Sequence, residues 1–101
     1  MSRRVDLLSG ADADLQEQFN RFEDYREGFG IEFMSTVEAY LTRLAIFPES
    51  APIYRGSIRR QVMQKFPLGI FYEVHPTRIV ILAILDLRQD EQNILRRLGL
   101  S

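Results

Sequence analysis

The sequence contains no cysteine, one histidine, one lysine and no apolar run longer than seven residues. Each shortage removes a class of protein. Without cysteine there is no disulfide framework, no thiol nucleophile and no thiolate ligand for zinc or an iron–sulfur cluster. The longest apolar run, Ile79 to Leu85, is far short of the ~20 residues that a membrane-spanning helix needs. Met1 to Asp6 has two arginines with no apolar core behind them, so no export signal is expected. A Ser-His-Asp hydrolase would have to use His75, which stands before Pro76 and reads as a turn residue. A metal centre would be left with carboxylates, most of them on outward helix positions; Glu23, Asp24, Glu27, Glu32 and Glu38 read as a solvated face. The expectation is a soluble cytoplasmic protein with no membrane contact, no metal and no cofactor.

What is present is the make-up of an ordinary globular domain, 101 residues with 46% hydrophobic and 27% charged. A chain of that length hides roughly 60–70% of its unfolded surface, enough for two packed layers around one core, so residues 1–101 are expected to form a single domain. The net charge of −1 conceals a polarity: residues 1–50 carry five Arg against ten Asp and Glu, whereas residues 51–101 carry eight Lys and Arg against four Asp and Glu. All but one of the basic residues are arginine, whose planar fork pairs bidentately with phosphate or carboxylate.

The hydrophobic period changes along the chain. Val5 and Leu7 alternate with Arg4 and Asp6, predicting a short strand from about Arg4 to Leu8. Ser9 to Asp12 has the spacing of a capping box, and Leu15, Phe19, Phe22, Tyr25 and Phe29 follow as one helical stripe that Gly28-Phe29-Gly30 ends. A second helix is predicted from Ile31 to Phe47, with Phe33, Met34, Val37, Tyr40, Leu41, Leu44 and Phe47 inward, until Pro48 stops it. So short a link predicts an antiparallel hairpin. After the Pro48–Pro52 loop the period becomes two. Ile58 to Phe66 has no cleanly apolar face and reads as a strand at or near an edge; Ile70 to Val74 is a second strand; Ile79 to Leu85 is a third, buried on both faces. Asp90 is expected to cap a short helix carrying Ile94, Leu95 and Leu98, with Arg96 and Arg97 outward. The fold class is therefore α+β: an N-terminal strand, a two-helix hairpin, three antiparallel strands in one small twisted sheet, and a C-terminal helix. The hairpin covers one face of the sheet and only the C-terminal segment is left for the other.

The basic residues of the second half, Arg55, Arg59, Arg60, Lys65, Arg78, Arg88, Arg96 and Arg97, fall on the predicted sheet or the tail. Gathered on one face they would bind phosphates; scattered, they balance the acidic helices. Tyr72 is the aromatic nearest this set, with Glu73 beside it, and strand alternation lets only one of the two face a given site; Tyr72 otherwise reads as a half-buried strand aromatic.

In order and spacing these stretches resemble the RelE/ParE superfamily of small toxins from type II toxin–antitoxin pairs, often called plasmid stabilisation proteins. The resemblance is carried by Ser9 and Ala13-Asp14-Leu15, by Leu44 to Pro48, by Ile58-Arg59-Arg60, by Phe66 to Val74, and by Ile79 to Leu85 ending in Asp86-Leu87-Arg88-Gln89-Asp90. It implies a growth-inhibiting bacterial toxin held inactive by a cognate antitoxin in a hetero-oligomer. One branch cleaves messenger RNA at the ribosome and another poisons DNA gyrase. The family's basic strand position falls on Arg59 or Arg60. Its post-strand segment, commonly His-x-Arg-Arg-Asp, falls on residues 86–90, where Asp86 replaces the usual His and Gln89 the second Arg. No Tyr or His follows His75, whereas the ribonuclease branch tends to carry one near its C-terminus. RNA cleavage needs a base, a cation and an acid. Arg59, Arg60, Lys65 and Arg88 are the candidate cations and Lys65, Glu73, Asp86 and Tyr72 the candidate acids or bases; Lys65, Glu73 and Arg88 are the first catalytic candidates. Arg59, Arg60, Lys65, Tyr72, Asp86 and Arg88 are the candidate contacts for target or antitoxin. The missing C-terminal acid or base favours gyrase as the target over messenger RNA, with a non-toxic remnant that still binds antitoxin as a third reading.

Overall fold

The computed structural model of the chain describes residues 2–100; Met1 and Ser101 lie outside the described residues. The elements run β1 (Arg4–Leu7), α1 (Ser9–Tyr25), α2 (Phe29–Ile46), β2 (Ile53–Arg55), β3 (Ile58–Val62), β4 (Leu68–Val74), β5 (Arg78–Asp86) and α3 (Glu91–Arg97). The strands form one sheet in the order β1-β5-β4-β3-β2, with β1 parallel to β5 and the remaining pairs antiparallel. The α+β layout is the expected one. β2 adds a three-residue edge strand to the expected set, which places β3 one strand in from the edge.

The capping box at Ser9 does not form. Leu8 keeps extended backbone because its N–H continues the ladder to the Ile81 carbonyl at 3.0 Å, so the helix starts immediately afterwards, with Ser9 already inside it and no side-chain cap. At the other end the expected stripe overruns the helix. Arg26 turns to extended backbone (φ −158°) and ends α1 at Tyr25, Gly28 follows with left-handed φ 85°, and Phe29 opens α2 instead of closing α1. Tyr25, expected inward, is 79% exposed. Phe47 at the end of α2 is likewise exposed, because it sits one residue past the helix.

The junction between the helices explains its glycines. Glu23, expected among solvated acids, accepts the N–H of Gly28 at 2.8 Å and of Gly30 at 2.9 Å, satisfying donors at the start of α2 with a charge of the favourable sign. A Cβ on Gly30 would lie 2.8 Å from the Phe19 carbonyl oxygen, so only glycine lets the two helices approach this closely.

Two apolar layers result. Between hairpin and sheet lie Phe33, Val37 and Leu44 against Phe66, Leu68, Ile70, Tyr72, Ile79, Ile81 and Ile84. On the opposite face α3 brings Ile94 against Ile58, Phe71, Ala83 and Leu85. Along β5 the inward parity changes: Tyr72 pairs with Ile81, Phe71 with Ala83, and Leu82 is the extra residue of a bulge. Ile79 and Ile81 therefore share a face with Ile84 rather than with Ala83 and Leu85. Asp90 caps α3 as expected, accepting the Gln92 N–H at 2.9 Å.

Arg97 does not point outward. It crosses to α1 and holds Asp14 through both terminal nitrogens, at 2.8 and 2.9 Å. The same carboxylate accepts the N–H of Ile84 at 3.0 Å. β1 ends at Leu7, paired with Ile81, so it stops short of Ile84, and Asp14 supplies the acceptor there. One buried carboxylate thus ties α1, β5 and α3 together.

Candidate functional site

The end of the sheet where β4 begins and β5 finishes gathers cations from three parts of the chain. Leu68 pairs with Asp86, so the β3–β4 loop carrying Lys65 and the β5–α3 loop carrying Arg88 meet there. The C-terminal half of α1 passes alongside and contributes Arg21. Asp86 accepts the Arg88 backbone N–H at 2.8 Å, its Nε at 3.1 Å and its Nη2 at 2.8 Å, folding the arginine into a self-contained clamp. That contact holds the Asp86 carboxyl below its usual range against the opposing effect of partial burial, and raises Arg88. Lys65 pairs with Glu32 of α2, whose carboxyl is lowered chiefly by that ammonium.

Two depressions meet at this end and share Arg21 and Arg88. One, of about 460 Å³, is polar, with Asp14, Asp86, Gln89 and Arg97 on its walls. The other, of about 400 Å³, has an aromatic lining of Phe22, Tyr25, Phe29 and Phe66 with Lys65, Arg21 and Arg88 at the rim. Arg97 is raised, first through its bond to Asp14.

Of the sequence-derived candidates, Lys65, Asp86 and Arg88 come together. Glu73 does not join them: it lies five strand residues from Leu68, roughly 17 Å at the rise of a β-strand. There it accepts the Ser57 hydroxyl at 2.7 Å and sits 3.3 Å from His75 Nε2. Tyr72 is withdrawn from the surface altogether, fully buried with its hydroxyl donating to the Pro48 carbonyl at 2.7 Å; burial raises that hydroxyl above its ordinary value. Arg59 and Arg60 diverge because neighbours on a strand face opposite ways. Arg59, opposite Tyr72, turns to the hairpin side and donates to the Ala51 carbonyl at 2.7 Å. Arg60, opposite Phe71, lies on the α3 side with its guanidinium 4.9 Å from the Tyr54 ring centroid. Arg60 has no ion pair among the described residues.

Sequence reasoning missed Arg21, Tyr25 and Asp14. Arg21 and Tyr25 are four apart on α1 and so share an outer face, a spacing visible in the sequence, but nothing local says that Arg88 arrives beside them. Asp14 is concealed by type, since a carboxylate at an inward helix position contradicts the apolar pattern. Chemically the assembled end can bind anions through several guanidinium and ammonium donors. Among the described residues no group of three or more His, Asp or Glu is placed to hold a metal ion, and no helix is long and apolar enough to cross a membrane.

By sequence the chain matches no protein-family model and no curated protein. By structure it is similar to a chain of a solved structure described as the chromosomal ParDE TA system from P. aeruginosa, with a TM-score of 0.75, 14% identity, and coverage of 86% of this chain and 98% of that one. The α+β architecture that the resemblance implies is thus borne out at the level of the fold, which this chain shares over nearly the whole of that chain.

Proposed function

We propose that this chain is the toxin of a two-component toxin–antitoxin pair, neutralised by an antitoxin protein in a hetero-oligomer, and that it acts by binding DNA gyrase rather than by cutting RNA. The observation that carries the reading is the fold shared over 98% of a chain from a ParDE TA system. The preference for a binding mechanism rests on what stands at the cationic end. Cleavage by a 2'-hydroxyl needs an acid and a base within hydrogen-bond reach of one phosphate. Here Glu73 is displaced along β4, Tyr72 is interior, Asp86 is committed to Arg88 and Lys65 to Glu32.

The antitoxin contact is assigned to the β3 side of the sheet. Arg60 is a sheet cation without an ion pair among the described residues, and it flanks the short edge strand β2, so an acidic antitoxin side chain completes the missing charge. Arg60→Glu is expected to weaken antitoxin binding by about tenfold or more, roughly 1.4 kcal/mol; unchanged affinity in a titration calorimeter removes this assignment.

The functional test is induced expression in a bacterium, alone and with the neighbouring reading frame, with separate labelling of new DNA and new protein. Growth arrest in which DNA synthesis falls first, relieved by the neighbouring frame, together with inhibition of supercoiling by the purified chain, is the expected result. Protein synthesis falling first replaces gyrase with the ribosome. Normal growth at a verified protein level overturns the toxin reading and leaves an antitoxin-binding remnant.

A further inference from the structure

The aromatic depression at the end of α1 has no part in the preceding reading, and its construction is specific. Phe22, Phe29 and Phe66 pack their rings at centroid distances of 5.0 to 5.4 Å to form a closed apolar floor. Tyr25 stands on its wall, largely in solvent, 5.9 Å from Phe29. Arg21, Lys65 and Arg88 surround the opening, and among the described residues no carboxylate lines it. Two of these cations have donors to spare. Among the described residues Arg21 makes a single ion contact, 3.5 Å to Glu17. Arg88, 72% exposed, uses Nε and Nη2 on Asp86 while Nη1 bonds nothing among the described residues.

We propose that this depression binds an acidic segment of a partner protein, an aromatic or leucine side chain entering over Phe22, Phe29 and Phe66 while flanking carboxylates pair with Arg21 and Arg88. An apolar socket ringed by arginine is the arrangement in which interface anchors gain most, because the socket desolvates the anchor and the rim sets its orientation and charge. Charge also argues for a peptide over a nucleic acid. The rim cations stand apart around one socket, each beside a carboxylate (Glu17, Glu32 or Asp86), which suits a few separate carboxylates on a peptide rather than the continuous uncompensated basic track that a phosphate backbone follows. The floor rings pack on each other, and Tyr25 is the one ring of the four that is largely exposed, a poor platform for successive bases. The inference is independent of the toxin reading.

The test is selection of short random peptides displayed on phage against the immobilised full chain, followed by anisotropy titration of the selected peptides. Arg21→Gln with Arg88→Met, and separately Tyr25→Ala, serve as variants; all three side chains are exposed, and a retained cooperative melting transition with an unchanged far-UV spectrum confirms the fold. The expected result is enrichment of Asp or Glu around an aromatic or leucine anchor, with Kd rising about tenfold or more, roughly 1.4 kcal/mol, in each variant. No enrichment, enrichment without acidic residues, or equal binding by the variants overturns the proposal. So does oligouridine that binds the wild type at roughly 0.1 M salt and is lost in the same variants, which makes the surface one for nucleic acid. Growth is not read, so failure of the toxin reading leaves this result intact.

Discussion

Replacing Asp14 by alanine is expected to be among the most damaging single changes to this chain. The side chain is 9% exposed and makes two separable contributions. Its first is to the buried N–H of Ile84, which has no strand beyond β1 to pair with; orphaning such a donor costs about 1–3 kcal/mol. Its second is the bidentate pair with Arg97. Arg97 is 42% exposed, so solvent screening holds that pair to about 1 kcal/mol. The sum is about 2–4 kcal/mol, a fall in Tm of roughly 10–20 °C for a domain of this size. The assay is urea denaturation of Asp14→Ala, Arg97→Met and the double variant, with amide hydrogen exchange at Ile84. The cycle should show about 1 kcal/mol of coupling between the two side chains. The rest of the Asp14→Ala loss should persist in the Arg97→Met background and coincide with lost protection of the Ile84 amide. Asp14→Asn, which keeps an oxygen for that N–H, should lose much less. A loss below about 1 kcal/mol for Asp14→Ala, or full exchange protection at Ile84 in that variant, would refute the reasoning.

Other expectations concern separate parts of the fold. Gly30→Ala forces a Cβ to 2.8 Å from the Phe19 carbonyl oxygen, and the helix hairpin should lose about 1–3 kcal/mol in chemical denaturation; a neutral result would mean that the helices separate freely. Tyr72→Phe leaves the buried Pro48 carbonyl without its 2.7 Å donor, costing about 1–2 kcal/mol, and near-UV spectra should show the rest of the core unchanged. Asp86 has a folded pKa depressed below its ordinary value of 3.8 by Arg88. Its contribution to stability is therefore complete above that value and is lost as pH falls through the lower folded value. Acid titration of stability should be shallower below pH ~4 in Arg88→Met than in the wild type; identical curves would show that the clamp contributes nothing.

Much of the architecture was legible because it depends on periods. The stripe of Phe33, Val37 and Leu44 marks α2, the β-branched and aromatic run of residues 70–74 marks β4, and Asp90 before a short apolar repeat marks α3. The resemblance given in the sequence analysis rests on the order of such segments. The candidate site was legible only in part. Lys65, Asp86 and Arg88 can be named from type and position, but for Tyr72 the sequence leaves both a contact and a half-buried strand role open, because strand alternation does not say which face is buried, and the structure buries it fully. The stripe continues on paper past Tyr25, whereas in space Arg26 turns to extended backbone and ends α1, leaving Tyr25 as its exposed last residue and Phe29 in α2.

By itself the sequence determined the types and order of the elements other than the short edge strand β2, the absence of thiol chemistry, and the arginine-rich character of the second half, since these follow from composition and local period. Only the tertiary structure decided which cations share a surface. The pairing of Leu68 with Asp86 brings Lys65 to Arg88, and the passage of α1 across that strand end adds Arg21. It also decided that Asp14 belongs inside, because its acceptor is needed only where β1 stops short of Ile84. The bulge at Leu82, invisible in a uniformly apolar run, decided which residues of β5 face the hairpin. Register, bulge and strand-end geometry are relations between distant segments, and a local pattern carries no record of them.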